Sequence, residues 1–137
     1  MPSTAPNCQR VEKPWGYELI LTPPEAKAVG KILHVSAGFK LSYQYHDQKE
    51  ETLVLLSGQA KIILDDQEII MEPQKGYFIP PFFKHRIIAV TDCDLMESST
   101  PETGNTFRLS DDYQRPTETE TLRNTPNRGW TSNDPQK

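Results

Sequence analysis

Apolar and polar residues alternate in short runs through the middle of this chain, with a period of two. That period predicts half-buried β-strands. The first runs from Tyr17 to Thr22 and stops at Pro23-Pro24-Glu25. Ala28–Val35 follows, with Lys31, Leu33 and Val35 on one face and Ile32 and His34 on the other. Ser36-Ala37-Gly38 turns the chain into Lys40–His46. There Lys40, Ser42, Gln44 and His46 share a face, opposite Leu41, Tyr43 and Tyr45. Glu51–Leu56, Ala60–Leu64 and Glu68–Met71 come next, divided by Ser57-Gly58 and by Asp65-Asp66-Gln67. Tyr77–Ile79, His85–Val90 and Asp94–Ser98 complete the series. About eight or nine short strands at close spacing, with no convincing helix, predict an all-β sandwich or barrel. The tight turns favour antiparallel pairing.

The ends of the chain read differently. Residues 1–12 are polar, carry two prolines and are expected to form a loose arm. The domain is expected to span 13–115, with Phe107, Leu109 and Tyr113 available to pack after the last clear strand. Residues 116–137 hold only Leu122 and Trp130 as large apolar residues, so they predict either a disordered tail or a strap lying on the domain. A length of 137 residues suits one domain with one core.

The net charge of −4 argues against a nucleic-acid or anionic-membrane surface, and no run of five basic residues occurs. Cys8 and Cys93 have no partner at CxxC spacing, which excludes a zinc knuckle or a dithiol redox motif. Two cysteines suit a reducing compartment. The first residues lack the basic and apolar regions of a signal peptide. No apolar run approaches the roughly 18–20 residues of a membrane span. The expectation is a soluble, cytoplasmic protein.

The chemistry concentrates between Gly38 and Gly58. Gln44 and His46, one residue apart, point the same way on a strand, and a four-residue connection brings Glu51 beside them. His85 lies 34 residues further on. Imidazole and carboxylate are ordinary ligands for one divalent ion, Zn, Mn, Fe, Ni or Co. The Gln amide is a weaker, harder donor. A single carboxylate leaves such a site near +1, which favours an anion or enediolate beside it. Residue types alone leave a second reading open, with His46 an exposed loop-end histidine and Glu51 a solvated charge.

Gly38, Gln44, His46, Glu51 and Gly58 resemble the first cupin motif, G-x5-H-x-H-x4-E-x6-G, with Gln in place of the first His. Gly76 to His85 resembles the second, which ends in Pro-x-Gly-x-x-His; Pro80 and His85 match, and Phe82 stands where the Gly is usual. Leu41-Ser42-Tyr43-Gln44-Tyr45-His46 is similar to the Leu-Ser-x-Gln-x-His signature of mannose-6-phosphate isomerases. Pro14-Trp15-Gly16 with Tyr17-Glu18, His85-Arg86 and Asp111-Asp112-Tyr113-Gln114-Arg115 resemble further segments of the type II enzymes' cupin domain. The resemblance covers about Glu12 to Arg115 and lacks a nucleotidyltransferase domain. It implies a cupin double-stranded β-helix, or jelly roll, and metal ligands at Gln44, His46, Glu51 and His85. It also implies a sugar-phosphate aldose–ketose isomerase. Ala89, in place of the usual Asn, and Tyr43 and Tyr45, in place of aliphatic residues, depart from the family.

Lys40, Ser42, Lys49 and Arg115 are the candidate phosphate binders, and Lys31 is expected at the rim of the barrel. The isomerisation needs a base; Lys49 and Glu50 are the candidates by position. Two other function classes remain open: a non-catalytic cupin binding a sugar or small carboxylate, and a small metal-dependent dioxygenase. Open sheet edges predict a two-fold homodimer.

Overall fold

A computed structural model describes residues 5–112 and 115–124. Among these residues, eleven strands form two antiparallel sheets. One has six strands: β1 (Gln9–Lys13), β2 (Gly16–Ile20), β3 (Val29–Val35), β10 (Cys93–Ser99), β5 (Glu51–Ser57) and β8 (Gly76–Ile79), in that spatial order. The other has five: β11 (Thr106–Ser110), β4 (Tyr43–His46), β9 (His85–Ala89), β6 (Ala60–Leu64) and β7 (Gln67–Ile70).

The apolar alternation builds the core between the sheets. Leu33, Leu95 and Leu55 stand side by side across β3, β10 and β5, all buried. Ile62 and Ile87 pair across β6 and β9 and are also buried. Each such side chain contributes about 1.5–3 kcal/mol on leaving water. The turns follow from backbone chemistry. Asp65 and Asp66 both take positive φ in the β6–β7 hairpin, a conformation Asp tolerates better than most residues. Gly58 has φ 83°, and a Cβ there would stand 2.2 Å from Asp92 O, so this turn admits only glycine.

The chain departs from the expected pattern in three places. Residues 9–13 are not a loose arm: they pair with β2 as an edge strand. Both faces of that strand are largely exposed, so it carries no apolar alternation to read. The strand expected at Lys40–His46 begins only at Tyr43. Lys40 makes an isolated bridge to Ile88, and Leu41 packs against the core, which breaks the parity of the segment. Residues 106–110 form β11, which covers the open edge of β4 and stacks Phe107 on Tyr45 at 4.9 Å. After it, Glu118 bridges back to Thr106 and one helical turn, α1 (Glu120–Arg123), closes on Thr119. The described part of 116–137 is therefore strapped to the domain; Tyr113, Gln114 and residues 125–137, Trp130 among them, lie outside the described residues. Among the described residues, no helix is long and apolar enough to cross a membrane.

Candidate metal centre

The four expected ligands come together at the ends of strands. Gln44 and His46 lie on β4, and His85 opens β9, directly opposite Gln44 in the antiparallel pair. Glu51 opens β5, in the other sheet. All four line one cavity of about 70 Å³. His46, Glu51 and His85 are buried, and their ligating atoms all lie within 4.8 Å of one another.

Hydrogen bonds orient the two rings. His85 Nδ1 stands 3.0 Å from Phe83 O, a carbonyl that only accepts, so Nδ1 carries a proton and Nε2 is the nitrogen turned to the cavity. That Nε2 lies 3.1 Å from Glu51 Oε1 without forming a hydrogen bond. His46 Nδ1 meets Thr106 Oγ1 at 2.8 Å. Its Nε2 is likewise buried without a hydrogen-bond partner, 3.8 Å from the same Glu51 oxygen. Two buried imidazole nitrogens and a carboxylate oxygen thus converge on one point, an arrangement that a bound cation would satisfy. The donor set fits a divalent transition ion. Ser42, fully buried, donates to Gln44 Oε1 at 2.5 Å and so orients the amide.

The electrostatics agree with that fit. Burial lowers the proton affinity of His46 and outweighs the raising effect of Glu51, which keeps the ring neutral. Burial opposes ionisation of Glu51, but its neighbours, Lys49 foremost, outweigh it and hold the carboxyl well below the usual range. Lys49 is buried and 3.2 Å from Glu51, 2.9 Å from Glu97 and 3.4 Å from Glu102. Those carboxylates overcome burial and hold its ammonium well above the usual range.

The structure brings some of the expected substrate residues to the cavity and not others. Ser42, Lys49 and Arg115 line it, Arg115 with its guanidinium 2.9 Å from Asp111. Lys31 backs the cavity from within the barrel rather than from its rim, almost wholly buried between Glu18 and Glu102. Lys40 points away, half-exposed and 3.6 Å from Asp112, because the irregular stretch before Tyr43 rotates it off the ligand face. Glu50 is exposed.

Several cavity residues were not singled out from sequence. Thr106, Glu97, Glu102, Arg108 and Glu118 all line it. Glu97 was legible in principle, since it shares strand parity with Leu95 and Cys93. The others lie beyond the last clearly alternating strand. Phe82, in place of the motif glycine, keeps the left-handed backbone at φ 68°, and its N–H donates to His46 O at 2.7 Å. A left-handed turn thus forms here without a glycine.

Residues 3–98 match the family described as "Mannose-6-phosphate isomerase C-terminal". This chain belongs to that family, a cupin family. No curated protein matches the sequence. Among solved structures, this cupin resembles KdgF from Halomonas sp. at 16% identity and TM-score 0.61, over 70% of this chain and 86% of that one. It resembles the capsular polysaccharide assembling protein CapF of Staphylococcus aureus at 16% identity and TM-score 0.66, over 78% of this chain. The match spans only 33% of CapF. Streptomyces PAC13 with uridine aligns at 13% identity and TM-score 0.63, over 74% of this chain and 84% of that one. At these identities the likeness shows a shared cupin fold.

Proposed function

We propose that this cupin holds one divalent metal ion on Gln44, His46, Glu51 and His85 and uses it to act on a sugar as an aldose–ketose isomerase. The observation that carries the reading is the pair of buried Nε2 atoms of His46 and His85 facing the ionised Glu51. The family match to mannose-6-phosphate isomerases supports the sugar and the reaction class. A related structure described as a nucleoside dehydratase supports a cupin cavity of this kind hosting chemistry on a sugar-bearing ligand.

A divalent ion held there supplies Lewis-acid polarisation of adjacent substrate oxygens. The chain's own residues supply the rest. Lys49, kept protonated by three carboxylates, is suited to donate to an oxygen on which negative charge develops, not to take a proton from carbon. Glu97 is the base of this reading. It lines the cavity, and burial, then Glu51, raise its proton affinity, the direction a carboxyl needs to exchange a proton nearer neutrality. The proposal includes a two-fold homodimer, since β1 and β8 are open sheet edges and Phe78 on β8 is exposed. A monomer mass by light scattering at micromolar concentration removes that part.

Elemental analysis of the purified protein, then assay of aldose–ketose interconversion with each candidate metal, tests the whole. The expected result is stoichiometric metal and turnover abolished by chelation. Metal binding with no interconversion of mannose and fructose, free or as 6-phosphates, leaves a non-catalytic sugar-binding cupin instead. Alanine at both His46 and His85 with bound metal unchanged removes the centre itself.

A further inference from the structure

The outer face of the six-stranded sheet is apolar and partly exposed. Glu18, Leu33, Leu95 and Leu55 are buried and turn inward, so their neighbours Leu19, Ile32, Met96 and Val54 turn outward. Strand register sets these four side by side in one row across β2, β3, β10 and β5. Met96, near the middle of the row, is 37% exposed, and Phe78 on β8 extends the patch at 57%. Two residues further along the strands stand Tyr17, His34 and Asp94, with His34 Nδ1 2.7 Å from Asp94 Oδ1. On β1, Arg10 pairs with Glu12 at 2.5 Å. Six strands at about 4.8 Å spacing make the face about 24 Å wide, and its three central strands of seven residues are about 24 Å long. That is about 500 Å² in projection, and the relief of the side chains brings it to the order of the roughly 800 Å² each partner gives to a stable contact.

We infer that a second copy of this chain covers this face, with a two-fold axis running along the strands between β3 and β10, an inference that rests on the homodimer part of the reading above. Such an axis exchanges β3 with β10, β2 with β5 and β1 with β8. It sets Ile32 against Met96 of the second copy and Leu19 against Val54, apolar against apolar in each case. In the neighbouring row it sets His34 against Asp94 of the second copy, so that two His–Asp pairs meet crosswise. An isologous contact must be complementary to itself, and this face meets that condition. The strands of the two copies then run aligned, a regular packing for sheets about 10 Å apart. Charge also favours a copy of this chain. Its net charge is −4, yet the charged groups of this face are paired within it, Arg10 with Glu12 and Asp94 with His34. Two copies therefore meet here without like-charge repulsion. Leaving the patch in water is the costlier arrangement, since monomers rarely expose several hundred Å² of contiguous apolar surface.

The test is sedimentation velocity of the full-length protein. The unaltered chain is expected to be a dimer at micromolar concentration. Met96→Glu and Ile32→Lys each place an unpaired charge in the contact, and each is expected to weaken the dimer at least about a hundredfold. Mixed together, the two variants are expected to form a heterodimer, because the axis brings the new ammonium of one against the new carboxylate of the other. Circular dichroism establishes that each variant is folded. Should one not fold, the unaltered protein still decides: hydrogen peroxide is expected to oxidise Met96 more slowly in the dimer than after dilution to monomer, with buried Met71 as the reference. Three results overturn the face and leave edge pairing through β1 and β8: a dimer that Met96→Glu leaves as tight, single variants that do not associate on mixing, or Met96 oxidised equally at both concentrations. Unaltered protein that stays monomeric overturns the homodimer reading and this inference together.

Discussion

His85 Nε2 stands 3.1 Å from Glu51 Oε1 while His85 Nδ1 gives its proton to Phe83 O. Both facing atoms are buried and turned toward the same point. A cation bound there would be coordinated by both, and metal should accordingly stabilise the fold. At a free-ion concentration a hundred times Kd the gain is about 2.7 kcal/mol. Melting of metal-saturated protein against protein dialysed with chelator measures it. His85→Ala should abolish the difference; an unchanged difference means the ion binds elsewhere.

Thr106 holds His46 as Phe83 holds His85. Thr106→Val keeps the shape of the side chain and removes the oxygen. Metal affinity is expected to fall about 10- to 100-fold, the usual effect of losing a partner that orients a ligand. Thr106→Ser should restore most of it. If valine and serine bind metal equally, the 2.8 Å contact has no orienting role.

Acid should destabilise the metal-free protein in two stages. His46 is depressed below the ordinary value of 6.5, chiefly by burial. Its contribution is therefore complete above 6.5 and is lost as pH falls below it. Glu51 is also depressed, because its neighbours, Lys49 foremost, outweigh burial. Its contribution is present above the ordinary glutamate value and is lost as pH falls through and below it. Glu97, raised by burial and by Glu51, runs the other way and recovers part of the loss once protonated. Urea midpoints measured from pH 8 to 4 should decline from about 6.5 downward. His46→Asn should flatten the upper part of that decline and leave the lower.

Phe82 occupies the left-handed region with its ring largely exposed. An aromatic residue there is strained by about 1–2 kcal/mol, and glycine removes that strain at an entropic cost of about 0.5–1 kcal/mol. Phe82→Gly should therefore stabilise the protein by up to about 1 kcal/mol, read as a higher urea midpoint at unchanged slope. Phe82→Ala keeps the Cβ and should bring no gain. A glycine variant less stable than the parent would mean that the contact with Tyr45, rings 6.1 Å apart, outweighs the strain.

The alternation of apolar residues determined most of the strands and the choice of core. Inward positions such as Leu33, Leu55 and Ile87 must leave water on one face, and a period of two leaves them only one way to do it. The same parity put Gln44 and His46 on one side of a strand, and the two motif-like segments supplied Glu51 and His85. Beyond that, local pattern ran out. Gln9–Lys13 has no buried face, so only backbone pairing with β2 makes it a strand. Lys40 has the parity of a ligand-face residue, yet the irregular stretch before Tyr43 turns it to Asp112. Whether Lys49 is a solvated charge or a buried one depends on Glu97 and Glu102, some fifty residues away along the chain, and charge pairing at that range leaves no periodic trace. The tertiary structure alone decided the polarity of the cavity wall, because a buried ion pair is stable only where both partners arrive together.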